Sequence, residues 1–352
     1  MEVIRGWTHA VFPIDDASRI GEARRHGASL GAEFGWSEVD AGRLAIVITE
    51  LATNLQRHAV GGRLLIAHRA AFDDIEVVCV DDGPGMSDVS RSMQDGVSTG
   101  GGSPGTGLGA VRRLTASFEL HSSLQDGTVC VARVARSARA GKPASADPAL
   151  LAAPAPSPYA FGAICLPIHG EAVCGDAWAL ALEDDRATLM VADGLGHGAQ
   201  AAEASQAALD MLAEDPTADL RTLVERSHIH LRGTRGAALC VLRIDAAAQT
   251  VGCAGAGNVA VRVVSGVFDR SMVTQHGTAG VQIRKPEQAN LAMPLHGVTI
   301  VHSDGLQTRW DKTVLLPVLE RDPTLAAALL FRNFSRGRDD ATVVVLRAEA
   351  MA

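Results

Sequence analysis

Residues 137–158 read SARAGKPASADPALLAAPAPSP and hold five of the chain's fourteen prolines. An Ala/Pro/Ser stretch without a hydrophobic period offers neither a helix face nor a strand face to bury, so it reads as a semi-extended linker. In a chain of 352 residues it leaves about 136 residues before it and about 190 after it, each enough to bury a core. The chain is therefore expected to fold as two domains, 1–136 and 159–352, joined by 137–158. No sequence repeat relates the two portions.

Composition narrows the function classes. With 47% hydrophobic and 20% charged residues the chain is globular, which excludes wholesale disorder. A net charge of -8 without a Lys/Arg run argues against nucleic acid or an anionic membrane surface as partner. The six cysteines are scattered without a C-x-x-C pair and sit mostly in apolar runs, the pattern of buried reduced thiols. The start MEVIRGWTHAVFPIDD lacks a basic head followed by an apolar stretch, and no apolar run approaches the ~18 residues of a membrane span. A cytoplasmic protein is expected.

In the first portion, Glu2–Ile14 reads as a strand, and Asp15–Phe34 and Ser37–Ala59 as helices, the second opened by a Ser37/Asp40 capping box. Strands are expected at 64–70 and 75–80, a helix over 107–117, and a closing strand pair at 118–124 and 129–134. This order implies helices layered on one face of a mixed sheet. In the second portion strands outnumber helices, which points to an antiparallel sandwich with helices outside. The fold class is α+β in two domains.

Glu50 and Asn54 stand at i and i+4 in GRLAIVITELATNLQRHA and share one helix face, with Arg57 and His58 a turn further on. An Asn carbonyl can ligate Mg²⁺ without adding charge beside a phosphate, and a Glu one turn earlier can accept a hydroxyl proton. Asp81-Asp82-Gly83-Pro84-Gly85 then ends a strand, and Gly105-Thr106-Gly107-Leu108-Gly109 opens a helix whose free amides suit phosphate. An Asp at such a strand end can accept from an adenine amino group. The ordered set resembles the GHKL (Bergerat) ATP-binding α/β sandwich, and the stretch Met93–Gly102 with Gly107-Leu108 and Arg113-Leu114 narrows the resemblance to stressosome switch kinases of the RsbT type. That resemblance implies Glu50 as catalytic base, Asn54 as Mg²⁺ ligand, Asp81 as adenine reader, and ATP contacts at Gly83, Gly85, Gly105, Thr106, Gly107, Leu108 and Gly109.

The second portion carries Asp176 in CGD, Asp193 in DGLGHG, Asp304 in SDG and Asp339-Asp340 before Ala341-Thr342. Carboxylates grouped at strand ends repel one another unless cations neutralise them, and such oxygen donors suit Mg²⁺ or Mn²⁺. Two ions a few Å apart can align an activated water on a phosphoryl group. The ordered set resembles the metal-dependent PPM Ser/Thr phosphatases of the SpoIIE and RsbX branch, with an α-β-β-α sandwich. The resemblance implies that catalytic Asp193 bridges two metals, that Gly194 ligates through its carbonyl, that Asp304 and Asp339 complete the site, and that Asp176 acts through water. Trp178 and Ala179 stand where many SpoIIE-type relatives carry a second acid. His197, in the same glycine-rich turn, reads either as a general acid or phosphohistidine or as a local turn residue.

Together the resemblances imply a bifunctional switch protein. One site would phosphorylate Ser or Thr on STAS-domain partners (RsbS/RsbR-like) with ATP, and the other would remove that phosphate. A downstream signalling enzyme is a further candidate partner. The alternative is that the ATP-binding portion is a non-catalytic gate or an anti-sigma binding module.

Overall fold

The computed structural model describes residues 1–93, 107–124, 126–137, 158–294 and 296–349. The expected amino-terminal strand is two strands, β1 (Glu2–Arg5) and β2 (Ala10–Pro13), and they join different sheets. β1 pairs antiparallel with β8 (Asp176–Leu182), Ile4 opposite Leu180. Met1–Thr8 therefore cluster with the described residues from Pro158 onward, and the unit that begins at His9 lies between two parts of the other in sequence. The expectation that residues 1–8 belong to the first domain is corrected accordingly.

In the unit that begins at His9, α1 (Ala17–Glu33) and α2 (Glu38–His58) are capped by Asp16 and Ser37, whose side chains accept the amides of Ser18 and Asp40. β3 (Arg63–Arg69), β4 (Asp74–Val80), the short helix α3 (Val89–Ser92), α4 (Gly107–Leu114), β5 (Ser117–Ser123) and β6 (Gly127–Ala135) follow. The sheet order is β2-β3-β4-β6-β5, and every neighbouring pair is antiparallel, so the expected mixed sheet is corrected. Tight hairpins join β3 to β4 and β5 to β6, and such connections permit only antiparallel neighbours. α2 buries Leu44, Val47, Ile48, Leu51 and Leu55, spaced by three and four, against alternate residues of the sheet such as Ile66, Ile75, Val77 and Ala132.

In the other unit, β7 (Tyr159–Leu166), β8, β9 (Arg186–Gly194), α5 (Ala199–Glu214), α6 (Leu220–His230), β10 (Ala237–Asp245), β11 (Thr250–Ala256) and β12 (Ala260–Val264) come first. β13 (Asp269–Met272), β14 (Gly277–Thr278), β15 (Gln282–Ile283), β16 (Ala289–Ala292), β17 (Val298–His302), α7 (Pro323–Phe334) and β18 (Ala341–Ala348) complete it. One sheet runs β1-β8-β9-β10-β11-β16 and the other β13-β12-β17-β18-β7, with antiparallel neighbours throughout.

α5 and α6 cover the first sheet through Ala204, Ala208, Leu212 and Leu223 against Ala177, Met190 and Leu239. α7 lies on β7 so closely that a Cβ on Gly162 would collide with the Thr324 amide nitrogen. The layers are α-β-β-α, as the resemblance implied. Between the sheets, Trp178 is fully buried, with its ring 4.8 Å from Trp7 and 6.2 Å from Phe161. Trp178 also accepts the Gly6 amide at its carbonyl, at 2.8 Å, which holds the segment after β1 to the sandwich.

All six cysteines are buried and free. No helix among the described residues is long and apolar enough to cross a membrane.

Candidate active sites

α2 presents Glu50 and Asn54, both half-buried, on the stripe left over after its apolar residues are packed. Gly107, the first residue of α4, sits against them: a Cβ there would lie 3.2 Å from Glu50 Oε2 and 3.7 Å from the amide atoms of Asn54. The amino end of α4, whose first amides have no partner within the helix, is thereby brought to an acid and an amide carbonyl. Leu108 packs onto the core and Gly109 is buried, so those two anchor the turn. Gly105, Thr106 and the stretch 94–104 lie outside the described residues.

Asp81 follows β4, is buried, and accepts the Gly83 amide on Oδ1 at 2.9 Å. The neighbouring glycines answer to the protein's own backbone. Gly85 has φ +77 and a Cβ on it would meet the Ser123 carbonyl oxygen, while a Cβ on Gly127, at φ +83, would meet that of Asp81. The loop after β4 is thus pressed onto the β5–β6 hairpin, and the Gly83 amide holds one oxygen of the Asp81 carboxylate.

The aspartates of the other unit gather at one end of its sandwich. Asp176 opens β8 directly opposite Asp193 of β9. Its Oδ2 accepts the Ser303 hydroxyl at 2.6 Å, and Ser303 Oγ in turn accepts the Thr342 amide at 3.0 Å, which ties the two sheets together at the site. Burial, then Asp176, Asp304, Asp339 and Asp340, push the Asp193 carboxyl up to about 9. Burial first, offset by the Ser303 hydrogen bond and reinforced by Asp340, pushes Asp176 up to about 7. Asp304 is raised by burial and by Asp339. Gly194 has no room for a side chain, since a Cβ would collide with the Ala201 carbonyl oxygen.

Asp340 is different in kind. Its Oδ1 accepts the Ile168 amide at 2.7 Å and its Oδ2 the Gly175 amide at 2.8 Å, so both oxygens hold the loop that leads into Asp176. His197 Nδ1 lies 2.7 Å from Glu171 Oε1 of that same loop, on the surface. Among the described residues no three His, Cys, Asp or Glu side chains converge closely enough to hold one ion. The donor set nonetheless fits hard divalent cations. Asp176, Asp193 and Asp304 are carboxylates raised by burial and by neighbouring acids, and a hard divalent cation can take the place of the proton they would otherwise hold.

The family model for the histidine kinase-like ATPase domain matches residues 12–133, and that for stage II sporulation protein E (SpoIIE) matches 183–349. The chain is 37% identical over 108 residues to the serine/threonine-protein kinase RsbT of Bacillus subtilis (strain 168), a match covering 30% of this chain and 80% of RsbT. The chain belongs to the RsbT family of histidine kinase-like ATPases. It is also 31% identical over 91 residues to the phosphoserine phosphatase RsbX of the same organism, covering 26% of this chain and 46% of RsbX. The match thus spans less than half of that relative. A solved structure described as the bacterial stressosome, a modular system adapted to control secondary messenger signalling, aligns over 54% of this chain and 99% of its own chain, at 27% identity and a TM-score of 0.51.

Both units are therefore homologous to phosphoryl-transfer enzymes, one to a switch kinase and one to PPM-type Ser/Thr phosphatases. In the RsbT-like unit Glu50, Asn54 and Gly107 come together, with Asp81 held at the end of β4. The SpoIIE match begins after Asp176, which the register nonetheless sets against Asp193. Sequence reasoning assigned no role to Ser303 or to Asn258, whose Nδ2 donates to Asp304 Oδ2 at 2.5 Å. Ser303 stood beside Asp304 in the quoted motif, whereas Asn258 belongs to the β11–β12 turn and carried no such signal.

Proposed function

We propose that the chain is a bifunctional partner-switching protein. The RsbT-like unit phosphorylates Ser or Thr on STAS-domain proteins with ATP, and the SpoIIE-like unit, residues 159–352 completed by residues 1–8, removes that phosphate. The observation that carries the kinase half is the approach of Gly107 to Glu50 and Asn54. A carboxylate at this place can accept the proton of a hydroxyl that attacks the phosphate. In this reading the α4 amides and the glycine-rich turn hold the phosphates of ATP, Asn54 supplies an oxygen to its Mg²⁺, and Asp81 accepts from the adenine amino group. Glu50 takes the proton of the attacking hydroxyl. Positioning and charge neutralisation of this kind provide most of the catalysis in phosphoryl transfer.

In the phosphatase half, Asp193, Asp304, Asp339 and the Gly194 carbonyl would hold Mg²⁺ or Mn²⁺ ions, with Asp176 acting through a water. Such ions supply a polarised phosphoryl group and an activated water. Ser303 fixes the Asp176 carboxyl, Asn258 fixes that of Asp304, and Asp340 braces the loop before Asp176. The repulsion around Asp193 keeps the site poised for cations.

The test follows label from γ-³²P-ATP onto a STAS-domain protein and off it again. Asn54→Ala is expected to abolish labelling and spare removal, and Asp193→Asn to do the reverse. Loss of both activities with either change would overturn the two-site reading. Tight ATP binding without label on any STAS protein would favour the gate.

A further inference from the structure

Asp304 and Asp339 are each continued by a loop, and the two loops are laced together. Gln307 N donates to the Phe334 carbonyl at 2.9 Å, Arg336 N donates to the Gly305 carbonyl at 2.8 Å, and Leu306 and Ser335 form an isolated antiparallel bridge. Between the loops opens a cavity of about 540 Å³ lined by Gln307, Thr308, Arg309, Ser335, Arg336 and Arg338. Three arginines and three neutral polar residues thus line one open depression of the surface, with Asp304 leading into one wall and Asp339 following the other.

The arginines are disposed for an incoming anion. Some arginines of this unit carry carboxylates, Arg262 on Asp269 at 2.6 Å, Arg347 on Glu349 at 2.6 Å and Arg186 on Asp245 at 3.0 Å. Among the described residues Arg309, Arg336 and Arg338 form no ion pair. The only side-chain hydrogen bond among the three is a long one of 3.4 Å, from Arg336 Nε to the Leu306 carbonyl. Arg336 feels the charge of Asp304, while Arg309 and Arg338 have no carboxylate partner among the described residues and are left for an incoming anion. The planar guanidinium fork matches carboxylate and phosphate oxygens two at a time.

We propose that Arg309, Arg336 and Arg338 form an anion-binding subsite that grips an oxyanion of the phosphorylated protein substrate beside the aspartate site. The favoured source is a carboxylate flanking the phosphorylated Ser or Thr, and the other is the phosphoryl group itself. The subsite deepens the phosphatase reading and rests on it for the identity of the substrate. It would select acidic phosphoprotein surfaces and would act on binding rather than on the chemical step.

The test measures binding apart from turnover. In full-length protein carrying Asp193→Asn, at fixed Mg²⁺, fluorescence anisotropy gives Kd for three labelled peptides: phosphoserine with acidic flanks, phosphoserine with neutral flanks, and the acidic peptide unphosphorylated. Arg309→Gln combined with Arg338→Gln is expected to weaken the acid-flanked phosphopeptide at least tenfold, with the neutral-flanked one unchanged and the unphosphorylated acidic one weakened too. The double Lys variant is expected to recover part of the loss, because the charge remains and the fork does not. Equal weakening of both phosphopeptides would assign the subsite to the phosphoryl group. Unchanged Kd for all three, in a variant whose circular dichroism matches the parent, overturns the proposal. If the Arg-dependent binding holds while protein with Asp193 intact removes no phosphate from either phosphopeptide, the phosphatase reading fails and the subsite stands.

Discussion

Replacing Trp7 by alanine is expected to destabilise the SpoIIE-like unit, although the whole RsbT-like unit separates residue 7 from it in the chain. Trp7 is 7% exposed, and its ring stands 4.8 Å from Trp178 and 6.3 Å from Phe161. Emptying a buried aromatic site of this size costs about 3–5 kcal/mol, and the edge-on contact with Trp178 adds to the transfer term within that range. At about 1.4 kcal/mol per factor of ten, amide protection should fall by roughly two to three and a half powers of ten. Hydrogen exchange read by mass spectrometry locates the loss without requiring separate melting transitions. Peptides from β8, β9 and β10 should exchange faster by that factor, and those from α2, β3 and β4 should keep their rates. Leu44→Ala, in the core of the other unit at 1% exposure, should give the opposite pattern. Faster exchange in β3 and β4 after Trp7→Ala, with β8 unchanged, would refute the assignment of β1.

Two further outcomes concern the RsbT-like unit. Glu76 is fully buried; burial alone would raise its pKa, but Arg133 at 2.8 Å, Arg69 at 3.6 Å and His9 at 3.3 Å hold it well below the ordinary value of 4.5. A folded-state pKa below the unfolded one stabilises the protein above the unfolded value and is lost as pH falls, so Glu76→Gln should cost about 3–5 kcal/mol near neutrality and much less at about pH 3. Denaturant melts at the two pH values read this, and an unchanged gap would contradict the pairing. Gly107→Ala places a methyl 3.2 Å from Glu50 Oε2. It should lower the rate of γ-phosphate transfer roughly 10–100-fold while melting stays unchanged, and undiminished labelling would remove Glu50 from the reaction.

Much of the local structure was legible because its signals are local. The capped starts of α1 and α2, the apolar stripe of α2 and the β-branched, apolar runs of β3 and β4 each follow from a few neighbouring residues. α7 was missed although Asp322 caps it and Pro323 stands in its first turn, a start signal that needs no long-range information. The resemblance implies ATP contacts at Gly83 and Gly85, and only folding shows that Gly85 and Gly127 also make room for neighbouring backbone. Asp340 was grouped with the cation ligands, yet its two oxygens are taken by the Ile168 and Gly175 amides. A run of two aspartates does not reveal which of them faces inward.

By itself the sequence determined that there are two domains, which segments bury a face, and which acids, glycines and asparagines recur in the order that phosphoryl chemistry requires. Periodicity and turn chemistry encode these, and both act within a few residues. Only the tertiary structure decided that β1 completes the sheet of the SpoIIE-like unit, that Asp176 stands opposite Asp193, and that two loops bring three arginines around one cavity. Hydrophobic alternation says which side of a strand is buried but not which sheet edge its backbone will pair with. That choice depends on unpaired N–H and C=O groups of β8, supplied by a segment remote in sequence. Charge is nonlocal in the same way: carboxylates remote from one another in the chain acquire their perturbed affinities only where folding sets them side by side.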